Sequence, residues 1–165
     1  YIEISIGHIY FQVPKNWNPQ LGTARLGEGR KDVGLFTGNL TAIMVSVYDT
    51  KGMDAYYKIQ GVSDISRLLA IEAQELLKWY QEEKSENATL KIFENGTMNV
   101  NGHNAVYLLF VISNLGDLPD LKILLVSWLH DGLIEIGYIG VIQNWDKSYD
   151  AFLHCLDSIG YQGGG

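Results

Sequence analysis

The sequence predicts an α+β fold, with a central antiparallel β-sheet of about six strands covered by helices on both faces. Two observations indicate this α/β/α sandwich: strand patterns come in two groups, and an amphipathic helix follows each group. A third is size, because 165 residues with 47% hydrophobic side chains can bury one substantial core. We predict a single domain over residues 1–162, with a flexible glycine tail at 163–165.

The first strand group has two members. Ile2–Val13 contains alternating apolar and polar residues and ends at Pro14, which predicts a strand. Lys15–Gly38 is rich in Gly, Asn and charge without clean periodicity, and predicts a long irregular connection that holds at most a short strand near Thr23–Leu26. Thr41–Tyr48 alternates and is rich in β-branched residues, so it predicts the second strand.

The first helix is predicted after a turn over Asp49–Gly61. Either Ser63 or Asp64 can cap it, because their side chains accept hydrogen bonds from the free amides of a first helical turn. The helix continues to about Lys84. Its apolar stripe, which predicts packing on the sheet, comprises Ile65, Leu68, Leu69, Ala73, Leu76 and Tyr80.

Four strands are predicted next, at Leu90–Thr97, Ala105–Ile112, Leu121–His130 and Leu133–Ile142. Asn101-Gly102 and Asp131-Gly132 are typical of tight turns between antiparallel strands. The last three strands are apolar at both alternating sets of positions, which is typical of strands in the middle of a covered sheet. The second helix is predicted over Trp145–Ser158, ending before Gly160.

Composition excludes several classes of protein. The net charge of -7 argues against a nucleic-acid partner, because polyphosphate would be repelled. The longest apolar run, Ala105–Ile112, is far shorter than the roughly 20 residues of a membrane-spanning helix. The single Cys155 cannot form an internal disulfide. We expect any signal peptide or lipid anchor to lie upstream of Tyr1.

Three segments resemble the PsbP-like family. They are Tyr10–Trp17, an aromatic strand followed by Pro and then Trp; Asn99–Tyr107, a strand, an Asn-Gly turn, a small residue and an aromatic; and the C-terminal end from Asp131-Gly132 to Phe152, Leu156 and Ser158. The resemblance covers residues 8–160, with departures at Asn18–Gly38 and at Ile159–Tyr161. It implies the PsbP-like fold and a non-enzymatic accessory role toward other proteins. No functional residue is carried over from it.

The chain shows no local grouping of catalytic or metal-binding side chains. His8, His103, His130 and His154 lie far apart, without the spacing of a zinc site. Cys155 lies beside the apolar stripe of the last helix and is predicted to be a buried, inert thiol. We therefore predict no catalytic residue, no metal ligand and no cofactor. An enzyme would require titratable groups to meet in the tertiary structure.

Two sets of residues are candidate functional sites. Arg25, Arg30 and Lys31 predict a positive patch on a negative chain that docks a partner, although a mobile loop would have the same composition. Asn39, Asn87 and Asn95 begin three Asn-x-Ser/Thr motifs, which predict glycosylation and therefore export. Turn chemistry is the alternative explanation of these asparagines.

Three functions follow as hypotheses. The leading one is a PsbP-related domain of extracytoplasmic or cell-surface location, a non-catalytic accessory or docking module for an unidentified protein partner; a cytoplasmic adaptor is the alternative. The second is a carrier of a small apolar ligand in a pocket between sheet and helices, near Trp17, Tyr56, Tyr57 and Trp79. These aromatics would otherwise fill the core. The third is an enzyme.

Overall fold

A computed structural model describes residues 1–163, which form ten strands and three helices. These are β1 (Ile2–Ile6), β2 (Ile9–Val13), β3 (Asn18–Leu26), β4 (Gly29–Thr37), β5 (Thr41–Tyr48), α1 (Thr50–Gln60), α2 (Ile65–Glu83), β6 (Thr89–Val100), β7 (His103–Ser113), β8 (Leu121–Leu129), β9 (Leu133–Val141), α3 (Ile142–Asp157) and β10 (Gly160–Tyr161). Of the predicted glycine tail, residues 164 and 165 lie outside the described range.

Seven strands form one antiparallel sheet in the order β3-β4-β5-β9-β8-β7-β6. A small antiparallel sheet in the order β1-β2-β10 accompanies it. The predicted α+β class and antiparallel central sheet are confirmed, but about six strands was too few. β9 and β8, which are apolar at both alternating sets of positions, lie inside the sheet as predicted, whereas β3 and β6 form its edges.

The residues of β8 divide between two hydrophobic clusters. Val126 belongs to the cluster that includes Phe152 of α3 and Phe11 of β2. Its neighbour Leu125 belongs to the cluster that includes Leu69 of α2. Successive side chains of a strand point to opposite faces, so these two clusters lie on opposite faces of β8.

Two predictions for the N-terminal region are wrong. The single strand predicted over Ile2–Val13 is a hairpin, β1–β2, that turns at Gly7 with φ 56°. The predicted irregular connection Lys15–Gly38 contains a second hairpin, β3–β4. Periodicity did not reveal it because β3 is exposed at nearly every position, while the buried positions of β4 include Gly29 and Asp32.

The turn predicted over Asp49–Gly61 is also wrong, because this segment forms helix α1. Asp49 caps the helix: its Oδ1 accepts hydrogen bonds from the Arg30 amide at 2.9 Å and from the Gly52 amide at 2.7 Å. These two bonds hold the pKa of Asp49 below its usual value, against a smaller opposing effect of burial. Gly61 ends the helix in the left-handed conformation, with φ 68°.

The remaining elements follow the predicted pattern. Asp64 caps α2 by accepting a hydrogen bond from the Arg67 amide at 2.9 Å. The strands β5 to β9 have the predicted order, although β6 extends beyond both predicted ends. Helix α3 begins at Ile142, earlier than the predicted Trp145, directly after β9.

Candidate functional site

The predicted positive patch is divided between two faces of the β3–β4 hairpin. Arg25 and Arg30 are cross-strand partners and therefore share one face. Lys31 is the partner of Ala24, so it lies on the opposite face. The Arg30 guanidinium also pairs with the Asp32 carboxylate, at 2.9 Å. The structure thus brings Arg25 and Arg30 together and separates Lys31 from them.

Lys31 instead lies against a cluster of partly and fully buried polar side chains between α1, α2 and the sheet. Its Nζ is 5.2 Å from the centre of the Tyr48 ring and 5.9 Å from that of Tyr56. The Tyr56 hydroxyl donates a hydrogen bond of 2.8 Å to Oε2 of Glu72 on α2. Next to Glu72 lies Glu135 of β9, which is only 7% exposed. A pair of neighbouring carboxyl groups is therefore buried beneath the helices.

The surroundings of Glu135 favour its protonated form. Burial raises the pKa of Glu135 well above its usual range, and the charge and hydrogen bonding of Glu72 raise it further. Oε1 of each residue is buried and accepts no hydrogen bond from the described groups. Protonated Glu135 can donate a hydrogen bond to the neighbouring carboxyl group of Glu72, which would give these buried oxygens a partner.

The sequence did contain a sign of this pair. Glu135 interrupts the otherwise apolar strand Leu133–Val141, and a carboxyl group in a strand buried on both faces requires a partner. Nothing in the sequence identified Glu72 as that partner. It lies on another element, and the contact depends on where α2 crosses the sheet.

Three of the four histidines lie together at one end of the fold. The ring centres of His103 and His130 are 5.0 Å apart, and those of His8 and His130 are 6.0 Å apart. The His8 Nε2 donates a hydrogen bond of 2.6 Å to the carbonyl of His130. Tyr161 packs on His130 at 3.7 Å. Over residues 1–163, no group of three or more His, Cys, Asp or Glu side chains is arranged to hold a metal ion.

Cys155 is fully buried in α3, as predicted for an inert thiol. Burial raises the pKa of this thiol to about 12, so the nucleophilic thiolate is disfavoured at neutral pH.

The aromatics predicted to line a ligand pocket do not gather at one place. Trp17 packs against the cluster that includes Phe152 of α3, whereas Tyr56 and Tyr57 belong to α1 and pack against the separate cluster of Tyr48, Leu68 and Leu133. Trp79 is 48% exposed on α2. Trp17 and the two tyrosines of α1 therefore belong to separate hydrophobic clusters.

The edge strand β6 exposes apolar side chains beside helix α2. The pairing register shifts between Ile92 and Glu94, which marks a bulge at Phe93. Ile92 is 44% exposed and Phe93 is 56% exposed. An edge strand also presents unpaired N–H and C=O groups to its surroundings. Apolar side chains and backbone hydrogen-bonding groups are therefore available together along β6.

A groove runs between α2 and β6, because α2 packs mainly on β7 and β8. Its volume is about 400 Å³. We call it the α2–β6 groove; the residues that line it include Leu69, Ala70, Ile92, Asn95, Val106 and Leu108. Its walls combine apolar side chains with the polar Ser66, Arg67, Asn95 and Thr97, and one of them is the open edge strand.

A second, smaller cleft lies between α3 and the strands β6, β7 and β8. Its volume is about 210 Å³. We call it the α3 cleft; the residues that line it include Glu94, Tyr107, Leu109, Trp145, Tyr149 and Phe152. The Trp145 and Tyr149 rings stack at 4.5 Å, and the Tyr107 hydroxyl donates a hydrogen bond of 2.7 Å to Glu94.

The three predicted glycosylation sites are exposed. Asn39 precedes β5 and Asn87 precedes β6, both in connecting segments. Asn95 lies within β6 and lines the α2–β6 groove. A glycan at Asn95 would therefore cover that groove.

The described residues contain no helix that is both long and apolar enough to cross a membrane.

Comparison with known proteins identifies the fold. The sequence matches no protein-family model and no curated protein. Among solved structures, it is similar to the solution structure of cyanobacterial PsbP (CyanoP) from Synechocystis sp. PCC 6803, with a TM-score of 0.58 and 12% identity over 93% of this chain and 86% of that chain. It is also similar to the crystal structure of PA94, a protein of unknown function from Pseudomonas aeruginosa, with a TM-score of 0.49 and 15% identity over 96% of this chain and 100% of that chain.

The architecture described above is therefore that of a PsbP-like α+β domain. The sequence resemblance to the PsbP-like family predicted this fold, and the prediction is confirmed. At 12% identity, the likeness extends to the fold alone.

Proposed function

We propose that this chain is a non-catalytic PsbP-related sandwich domain, with helices on both faces of its sheet, that acts as an accessory or docking module for a protein partner. The observation that carries the proposal is the α2–β6 groove beside an open edge strand. An extended segment of a partner can add to β6 through main-chain hydrogen bonds and place its apolar side chains in the groove.

The energetics favour this surface over the predicted positive patch. Docking along β6 would bury Ile92 and Phe93, which are apolar and exposed in the free domain. Arg30 already pairs with Asp32, so a partner carboxylate would have to compete for it. Arg25 and Arg30 then supply at most an additional contact at the opposite edge of the sheet.

We further propose an extracytoplasmic location, supported by the exposure of the asparagine of each of the three glycosylation motifs. This location constrains the docking site. Because a glycan on Asn95 would cover the α2–β6 groove, a domain that docks there carries glycans on Asn39 or Asn87 only. A cytoplasmic adaptor is the alternative if the asparagines carry no glycan.

Site-specific photo-crosslinking tests the docking proposal. We expect p-benzoylphenylalanine at position 93 to give one discrete protein adduct in the cells that make the chain, because Phe93 is exposed on β6 and follows Ile92, which lines the groove. The Ile92→Glu substitution should lower the adduct yield about tenfold by placing a charge among the apolar side chains of the groove. The control position is Leu21, which is 60% exposed on β3 at the other edge. Equal adducts from positions 21 and 93, or none from 93, would contradict the proposal.

A second candidate function is the transport or sensing of a small apolar ligand. The observation that favours it is the α3 cleft, which is lined by aromatic and aliphatic side chains from α3 and three strands. This cleft differs from the pocket expected near Trp17, Tyr56, Tyr57 and Trp79.

A further inference from the structure

The α3 cleft combines an apolar floor with one carboxylate at its rim. Leu109, Leu124 and Phe152 line the floor. At the rim, Glu94 accepts the Tyr107 hydroxyl hydrogen bond at 2.7 Å. Tyr149 lines the same cleft as Glu94 and Tyr107. Burial raises the pKa of the Tyr149 hydroxyl, and the Glu94 carboxylate raises it further. The cleft thus has a single charged group, and that group is negative.

One basic side chain lies against a ring that lines this cleft. Lys122 on β8 places its Nζ over the Trp145 ring, 4.1 Å from the ring centre. The described ion pairs of the chain also leave Glu94 without a Lys or Arg partner. An incoming cation can therefore interact with Glu94 without first displacing a side chain of the opposite charge.

We propose that the α3 cleft binds a small organic cation, a primary ammonium compound with a compact apolar body. This inference rests on the second candidate function and names the class of ligand. The ammonium group would donate to Glu94 and lie near the Tyr107 and Tyr149 rings, whose electron-rich faces attract cations. The apolar body would cover the floor of Leu109, Leu124 and Phe152. The volume of about 210 Å³ suits a body about the size of one aromatic ring, below the usual range of drug-sized pockets.

An NMR titration with three matched probes tests the inference. The probes are phenethylamine, the neutral 2-phenylethanol and the anion 3-phenylpropionate, which share the phenyl body and differ in charge. We expect phenethylamine to shift the Trp145 indole N–H signal saturably and to bind about tenfold more tightly than 2-phenylethanol. The anion should bind most weakly because Glu94 and the net charge of -7 repel it.

Two variants separate the role of charge from that of shape. Glu94→Gln should lower the affinity for phenethylamine about tenfold and leave the affinity for 2-phenylethanol unchanged. Glu86→Gln removes the same charge at an exposed position before β6 and should change neither affinity.

The outcomes distinguish the claim that the α3 cleft binds an apolar ligand from the claim that this ligand is a cation. Equal binding of the amine and the alcohol would overturn the inference of a cation while leaving an apolar-ligand carrier intact. Saturable binding of none of the probes would contradict both. Tighter binding of N-acetyl-lysine methylamide than of phenethylamine would also overturn the inference, in favour of a partner's lysine side chain.

Discussion

Replacing Glu135 with Gln is expected to raise the free energy of unfolding at neutral pH and to flatten its dependence on pH. The folded-state pKa of Glu135 is raised above the ordinary value of 4.5, chiefly by burial and then by Glu72. Its contribution to stability is therefore fully present below about pH 4.5 and is lost as the pH rises toward the folded-state pKa. Within that window the native state binds one more proton than the unfolded state, so the free energy of unfolding falls by up to about 1.4 kcal/mol per pH unit.

The Gln side chain keeps the shape of protonated Glu and can donate the same hydrogen bond to Glu72, but it cannot ionise. Urea unfolding of both proteins between pH 4 and pH 8 measures the effect. The two stabilities should be similar at the acidic end and diverge as the pH rises. The exposed Glu86→Gln variant is the control and should follow the wild-type curve. Parallel curves for Glu135→Gln and wild type would show that Glu135 does not hold a proton in the folded protein.

Gly29→Ala is expected to destabilise the fold by about 3 kcal/mol, the upper part of the range for overpacking. Hairpin β3–β4 approaches helix α1 backbone to backbone at this point. A Cβ at position 29 would lie 1.9 Å from the Gly52 amide nitrogen and 2.4 Å from its Cα. No rotamer relieves a clash with backbone. The helix must therefore move away, which also strains the hydrogen bond of 2.9 Å between the Arg30 amide and the Asp49 cap.

Gly22→Ala in the same hairpin is the matched control. A Cβ at position 22 meets only Val33 Cγ2, at 3.5 Å, which is ordinary van der Waals contact. Its effect should lie within about 1 kcal/mol of wild type, with stabilisation possible because Ala restricts the unfolded chain. Chemical denaturation of the two variants measures the difference. Equal midpoints would mean that the hairpin and α1 do not pack as closely as the structure indicates.

The spacing of apolar residues in the sequence predicted the helices and strands that bury a regular set of them. It missed the elements that do not. Helix α2 and strands β7 to β9 bury regular sets of apolar residues, so their patterns are visible in the sequence. Strand β3 is held by its pairing with β4 and exposes nearly all its side chains. Helix α1 is short, and its one fully buried residue is Gly52, which has no apolar side chain to mark the inner face. Tertiary contacts therefore determine both elements.

The candidate sites could be predicted from the sequence even less than the helices and strands, because they depend on tertiary contacts. Glu135 was recognisable as an unusual residue in an apolar strand, but only the crossing of α2 over the sheet shows that Glu72 meets it. The openness of β6 follows from the strand order, which places it at an edge beyond the main contacts of α2. The predicted patch of Arg25, Arg30 and Lys31 failed as a unit because strand alternation divides it between two faces.

The central claim is that the chain acts by docking a partner along β6, and covalent footprinting tests it most directly. Hydroxyl radicals should label Ile92 and Phe93 efficiently in the purified protein, since both are exposed. In the cells that make the chain, we predict several-fold lower labelling of these two residues. Leu21 on β3 and Ile59 on α1, which are 60% and 68% exposed, should be labelled equally in both samples. Equal labelling of Ile92 and Phe93 in the two samples would contradict docking along β6.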